Sequence, residues 1–202
     1  AAEGYLLALE VLEGLRADAD ARIARALAAA REALDAGRPE PAGEALGTLR
    51  RYAPAHPELP PLEERLRVWP DVDVLLRRGE DLAGERAWAE AVAALEEAAE
   101  LDGAVTLVRE RLPAYRRALA EQRFLGAMSR GYRALDEARF EAAAAAFGEA
   151  RSLRPDDAEV DEALRQLDAL RTQDRLSTLR GRAVAAEDRE AWEDAAEAWA
   201  AM

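Results

Sequence analysis

The stretch GYRALDEARFEAAAAAFGEARSLRP, residues 131–155, decides the fold. It holds five consecutive alanines, an aromatic on either side, and no residue that usually carries chemistry. Phe140 is followed at intervals of three, four and three residues by Ala143, Phe147 and Ala150, so the four share one helix face. The same phrase recurs at Trp88, Ala91, Leu95 and Ala98, and again at Trp192, Ala195, Trp199 and Met202. A weaker copy runs Pro39, Ala42, Leu46 and Leu49. Successive copies lie 49, 52 and 52 residues apart, and self-similarity at such a period marks a stacked repeat array.

Each copy follows a short break, and before each break lies a longer amphipathic stretch. The clearest is 156–187, with Val160, Leu164, Leu167, Leu170, Leu176, Leu179 and Val184 at helical intervals. Trp69-Pro70 should break or kink the second long stretch and Pro113 should kink the third, because proline has no amide to donate and clashes with the preceding turn. No segment alternates with period two, so no sheet is expected. The predicted fold is all-α: a right-handed, solenoid-like array of four hairpins, about eight helices, each hairpin a long helix plus a short one. The units fall at about 3–54, 55–103, 104–155 and 156–202, forming a single array over 1–202.

Half of the 202 residues are apolar but only 5% are aromatic, so alanine and leucine must do most of the packing. There is no cysteine, hence no disulfide or thiolate metal site. The net charge of −13 argues against nucleic-acid binding and against direct binding to anionic membranes. No run of 18 apolar residues or leader pattern occurs. All basic residues are arginine, asparagine is absent and Ile23 is the sole isoleucine, a usage expected of a GC-rich bacterial genome. The chain starts and stops within apolar patterns, so it reads as a segment of a longer protein. A cytoplasmic and a periplasmic location, and an anchor outside this segment, all stay open.

Gly131, Phe140, Ala143, Phe147, Ala150 and Pro155 resemble the spacing of a tetratricopeptide repeat motif. The second unit carries Gly79, Trp88, Ala91, Leu95, Ala98 and Gly103, and the first Ala30, Gly37, Ala42, Leu46, Leu49 and Pro54. The family period is about 34 residues; the extra length here falls in the long helix. The resemblance implies that Gly131 and Ala143 face each other at a close helix contact. It also implies a partner-binding groove lined by Leu27, Arg31 and Leu34, by Leu76 and Glu80, by Met128, Tyr132 and Leu135, and by Arg180 and Val184. One family subtype grips a peptide carboxylate with lysines and an asparagine, residue types absent here. A fainter likeness is to the helical midsection of membrane-anchored bacterial proteins.

Nothing in the sequence supports catalysis, a cofactor or a metal. His56 lies in the proline-rich turn APAHPELPP and reads as a loop histidine. The run DDAEVDE, Asp156 to Glu162, lacks the loop spacing of a calcium site and reads as the start of a helix, where the dipole favours negative charge. Asp18–Arg22, Glu63–Arg67 and Asp161–Arg165 read as ion pairs one turn apart. Trp88, Trp192 and Trp199 fall on the repeat's core face. The expected function is a non-catalytic interaction module that binds a peptide or partner protein on a concave helical surface. The alternative is a structural spacer or assembly scaffold within a larger, membrane-anchored bacterial protein. No long helix follows Trp192–Met202 in this sequence, so that face is expected to seek another copy, as a homodimer through the C-terminal end.

Overall fold

The computed structural model describes residues 2–202, with the side chains of residues 10–202. Eight helices follow one another: α1 (Ala2–Asp35), α2 (Pro39–Tyr52), α3 (Leu59–Gly84), α4 (Trp88–Asp102), α5 (Thr106–Asp136), α6 (Phe140–Leu153), α7 (Ala158–Glu187) and α8 (Trp192–Ala200). They pack in consecutive pairs, each a long helix and a short one, and no strand occurs among the described residues. The chain divides into two compact units, Ala1–Leu119 and Ala120–Met202, and the division falls inside α5.

Alanine, leucine, glutamate and arginine make these segments helical, being the strongest helix formers. What stops each long helix is the same turn used four times. Gly37, Arg86, Ala138 and Glu190, each two residues before a short helix, have φ of 67°, 60°, 52° and 58°. In the third hairpin the Ala138 amide donates to the Leu135 carbonyl at 2.9 Å and the Arg139 amide to the Ala134 carbonyl at 2.8 Å. The first, second and fourth turns repeat that pair of bonds, the Schellman closure of a helix C-terminus. Only the first turn has the glycine that this conformation favours. Gly37 needs it twice over, because a Cβ there would lie 2.5 Å from the Trp69 ring. Ala138 is exposed and carries only the conformational penalty of about 1 kcal/mol. Ala138→Gly should therefore raise the denaturation midpoint, whereas a glycine inside a helix would lower it.

Three cores alternate with the helices by one rule. The first joins Ala30, Leu34, Leu46 and Leu49 of α1 and α2 to Leu59 and Leu62 in the first turns of α3. The second joins Val72, Leu76, Leu95 and Ala98 of α3 and α4 to Val105 just before α5 and Val108 in its first turn. The third joins Phe124, Met128, Ala143, Phe147 and Ala150 of α5 and α6 to Val160, Ala163 and Leu167 of α7. Each of α3, α5 and α7 thus serves twice. Its first turns complete the preceding hairpin, and its last turns pair with its own short helix. The extra residues beyond a shorter repeat are the length that this double use requires.

Ala42, Ala91, Ala143 and Ala195 occupy equivalent helix contacts, with exposures of 0%, 0%, 0% and 3%. Ala143→Leu should therefore destabilise by about 1–3 kcal/mol through overpacking. Ala145, two residues on, is exposed, and the same change there should stay within about 0.5 kcal/mol. Chemical denaturation of the two variants checks the rotation of α6; equal effects would contradict it.

Two local expectations are made specific. The side chain nearest to Gly131 is Phe147: a Cβ on Gly131 would lie 2.3 Å from the ring Cε1. The glycine makes room for the larger side chain one turn or so beyond the alanine. At Trp69-Pro70 the helix does not break, for α3 is continuous from Leu59 to Gly84. Leu62 is buried in the first core and Val72 in the second, so both flanks of the proline are anchored while Pro70 itself faces solvent.

Candidate functional site

The predicted groove residues recur at fixed places on the long helices, and the structure shows what each place does. Twelve residues before the short helix stand Leu27, Leu76, Met128 and Arg180; eight before it stand Arg31, Glu80, Tyr132 and Val184. In the first three hairpins the next long helix already sits against these places. Leu27 packs half-buried on the first core, and Leu34, Leu76, Met128 and Leu135 are buried in their own cores. Arg31 pairs with Glu58 just before α3. Glu80 pairs with Arg111 of α5 at 3.1 Å.

Tyr132 makes an edge-on contact with Phe147, ring centroids 5.3 Å apart. Burial, and then the charges of Glu159 and Glu162 at the start of α7, push the Tyr132 phenol above the ordinary tyrosine value of 10.0. A raised value means that this residue's contribution to stability is complete below the ordinary tyrosine range and is lost as pH rises through the raised one. Ultraviolet titration should show a tyrosine phase above that range, and Tyr132→Phe should remove it.

The fourth hairpin differs. Arg180 is exposed and makes no ion pair among the described residues, and Val184 is 43% exposed. Around them Leu176, Trp192, Trp199 and Met202 are also exposed, at 40%, 64%, 42% and 42%. Trp199 stands at the place of Phe147, and Ala183 at that of Gly131. Phe147 is fully buried because α7 closes its core; nothing described closes over Trp199. The expectation that Trp192 and Trp199 lie in the core is therefore corrected, while Trp88 is half-buried and meets Tyr115 at 5.6 Å. The Trp199 indole is still held, its Nε1 donating to Glu187 Oε1 at 2.8 Å. The resemblance placed Val184 and Arg180 in the groove and left out Leu176, which the sequence marked only as part of the apolar stripe of its helix; its equivalence to the buried Phe124 was the available signal.

The remaining polar features are structural. The Asp157 side chain accepts the Glu159 amide at 2.9 Å and caps α7. Asp161 pairs across helices with Arg151 at 2.9 Å, and Arg165 turns to Glu162 at 2.6 Å, so the expected Asp161–Arg165 pair does not form. Glu63 likewise pairs with Arg50 of α2 rather than with Arg67, which joins Glu64. Asp18 and Arg22 do pair, at 2.9 Å. His56 Nδ1 accepts the Glu58 amide at 3.3 Å and helps to start α3. An open cleft of about 690 Å³ between the start of α6 and the middle of α7 mixes Arg139, Arg171 and Arg175 with Glu141 and Asp174, and Arg171 is already paired with Glu141. Among the described residues no group of acidic and histidine side chains is arranged to hold a metal, and no helix is long and apolar enough to cross a membrane. The chain matches no family model, no curated protein and no solved structure.

Proposed function

We propose that this chain is a non-catalytic, tetratricopeptide-like interaction module that takes a partner helix on the exposed face of α7 and α8. The observation that carries this reading is the repetition. The same face of the first three hairpins is covered by the opening turns of a long helix bearing apolar residues three and four apart: Leu59, Leu62 and Leu66, then Val105, Val108 and Leu112, then Val160, Ala163 and Leu167. The fourth hairpin offers Val184, Trp199 and Met202 at the corresponding place. The partner's recognition element is accordingly an amphipathic helix rather than an extended peptide or a peptide terminus. Arg180 and Val184 are the groove positions open to it. Arg31, Glu80 and Tyr132 hold the module's own helices together. A spacer or scaffold role draws on the same tiling, in which a hairpin closes on the long helix that follows it.

A photo-crosslinking residue at position 184 tests the assignment, with one at position 145 as control, in extract of the source cells. Adducts from position 184 and none from position 145 support it. Adducts from both positions, or from neither, overturn it.

A further inference from the structure

We propose that the fourth hairpin, the last turns of α7 with α8, opens and closes as a unit of its own, hinged in the middle of α7. The observation that carries this is where α7 stops being held. Val160, Ala163 and Leu167 are buried at one end of the helix, and Ala183 and Ala186 at the other. Of residues 171–182, Leu179 alone is half-buried and the rest are exposed. The middles of α3 and α5 are tied down. In α3, Leu66, Val68 and Trp69 pack on the neighbouring cores, and Arg65 pairs with Asp35 and Asp102. In α5, Leu112 and Tyr115 pack on the second core, Arg111 and Arg116 pair with Glu80 and Glu96, and Glu121 pairs with Arg154. In α7 the last such tie is Arg171 to Glu141. Arg175, Arg180 and Arg182 are exposed and make no ion pair among the described residues.

Two further facts place the weak point and size the opening unit. Gly181 stands in this stretch, and a Cβ on it would meet no atom within 4 Å. Packing does not require this glycine, unlike Gly131 beside Phe147, so its effect is the loss of helix propensity, roughly fivefold in the local equilibrium against alanine. Thr172 adds to it by turning its hydroxyl back to donate to the Asp168 carbonyl at 2.8 Å, a bond that tends to bend a helix. Beyond the hinge the buried side chains are methyl groups, those of Ala183, Ala186 and Ala195, where the third hairpin buries Phe124, Met128 and Phe147. The side-chain bond between α8 and α7 is that of Trp199 Nε1 to Glu187 Oε1 at 2.8 Å. A short helix without tertiary support is marginal in water, and a unit that buries little apolar surface opens far below the free energy of global unfolding. For the helix-binding reading above, the hinge is a lever on affinity. A partner that needs the closed hairpin binds more weakly in proportion to the open fraction, with no change in the face it touches.

The test is amide hydrogen exchange, followed by NMR, on the 202-residue chain without a partner, so its outcome is independent of the helix-binding reading. The amides of 183–187 and 195–200 should exchange together, about 100-fold or more faster than those of α6, while 162–167 stay as protected as α6. Protection that falls smoothly toward residue 202 is fraying and overturns the proposal. Protection of α8 equal to that of α6 overturns it as well. Gly181→Ala should raise protection of both segments together by about fivefold and leave α6 unchanged. Gly148→Ala, an equally unobstructed change on α6, should leave both segments as they are. No response to Gly181→Ala would mean that the opening does not pass through the middle of α7. A response to Gly148→Ala would mean that the third and fourth hairpins open as one. Either result sinks the inference.

Discussion

Gly131→Ala is expected to destabilise the protein by about 2 kcal/mol, although alanine is the better helix former by up to about 1 kcal/mol. The reason is steric. The added Cβ would fall 2.3, 2.5 and 2.7 Å from Cε1, Cδ1 and Cζ of Phe147. The ring is fully buried and is met edge-on by Tyr132, so it has no free direction in which to move. Overpacking of this kind typically costs about 1–3 kcal/mol. The other hairpins indicate the rescue. Where the short helix carries the smaller Leu46, the facing position is Ala30; where it carries Leu95, the position is Gly79, and a Cβ there would meet Leu95 at 3.3 Å. Phe147→Leu alone should lose stability by leaving a cavity. Combined with Gly131→Ala it recreates the Ala30–Leu46 arrangement, and the double variant should be more stable than the sum of the two changes implies. Urea denaturation of the four proteins gives that coupling directly. A Gly131→Ala protein as stable as the parent would mean that Phe147 can move and that the size match between the two positions is incidental.

That match shows what a sequence can and cannot disclose. The aromatic–alanine–aromatic–alanine phrase located every short helix and its buried face, because residues on one face of a helix keep a fixed spacing whatever lies opposite. The phrase does not contain its partner. The glycine nine residues upstream was visible, but which side chain it made room for depended on how the two helices cross. The same limit governs the groove. Arg31, Glu80 and Tyr132 were legible as surface positions of the long helices. That Glu58, Arg111 and the start of α7 lie against them follows from the long helices serving two hairpins each, which no local pattern encodes. The ion pairs illustrate it in miniature. Asp18–Arg22 formed as read, while Asp161 and Glu63 found arginines on neighbouring helices instead. The exposed face of α7 and α8 was legible only in part, since Trp199 and Met202 have the same phase as the buried Phe147 and Ala150. Their exposure depends on what packs over them.

Arg65 is the polar counterpart of Phe147, and its loss is expected to be as damaging. It lies on α3, and its Nε donates to Asp102 Oδ2 at 2.8 Å while its Nη2 donates to Asp35 Oδ1 at 2.7 Å. Those carboxylates close α1 and α4, at helix C-termini, where the backbone dipole disfavours negative charge. Asp102 is also the one buried charged residue among those described, and its Oδ1 accepts the Ala104 amide at 3.1 Å. Burial lowers the Arg65 pKa, but the two carboxylates more than offset this and hold it above the ordinary arginine value. The guanidinium therefore stays charged at any pH that the fold tolerates. Arg65→Met keeps most of the side-chain volume and removes both ion pairs, leaving Asp102 as a buried charge with one hydrogen bond. Breaking a buried pair this way costs about 3–5 kcal/mol; the partial exposure of Arg65 puts the expectation near the lower bound, about 3 kcal/mol. Adding Asp102→Asn removes the stranded charge while keeping an oxygen for the Ala104 amide, and should recover most of the loss. Arg65→Lys should fall between, because an ammonium lacks the planar fork that reaches two carboxylates at once. Thermal and urea denaturation of the series check this order. If Arg65→Met were as stable as the parent, or if Asp102→Asn made it worse, the bridge between the ends of α1 and α4 would be a surface decoration, and the hydrophobic cores alone would hold the first two hairpins together.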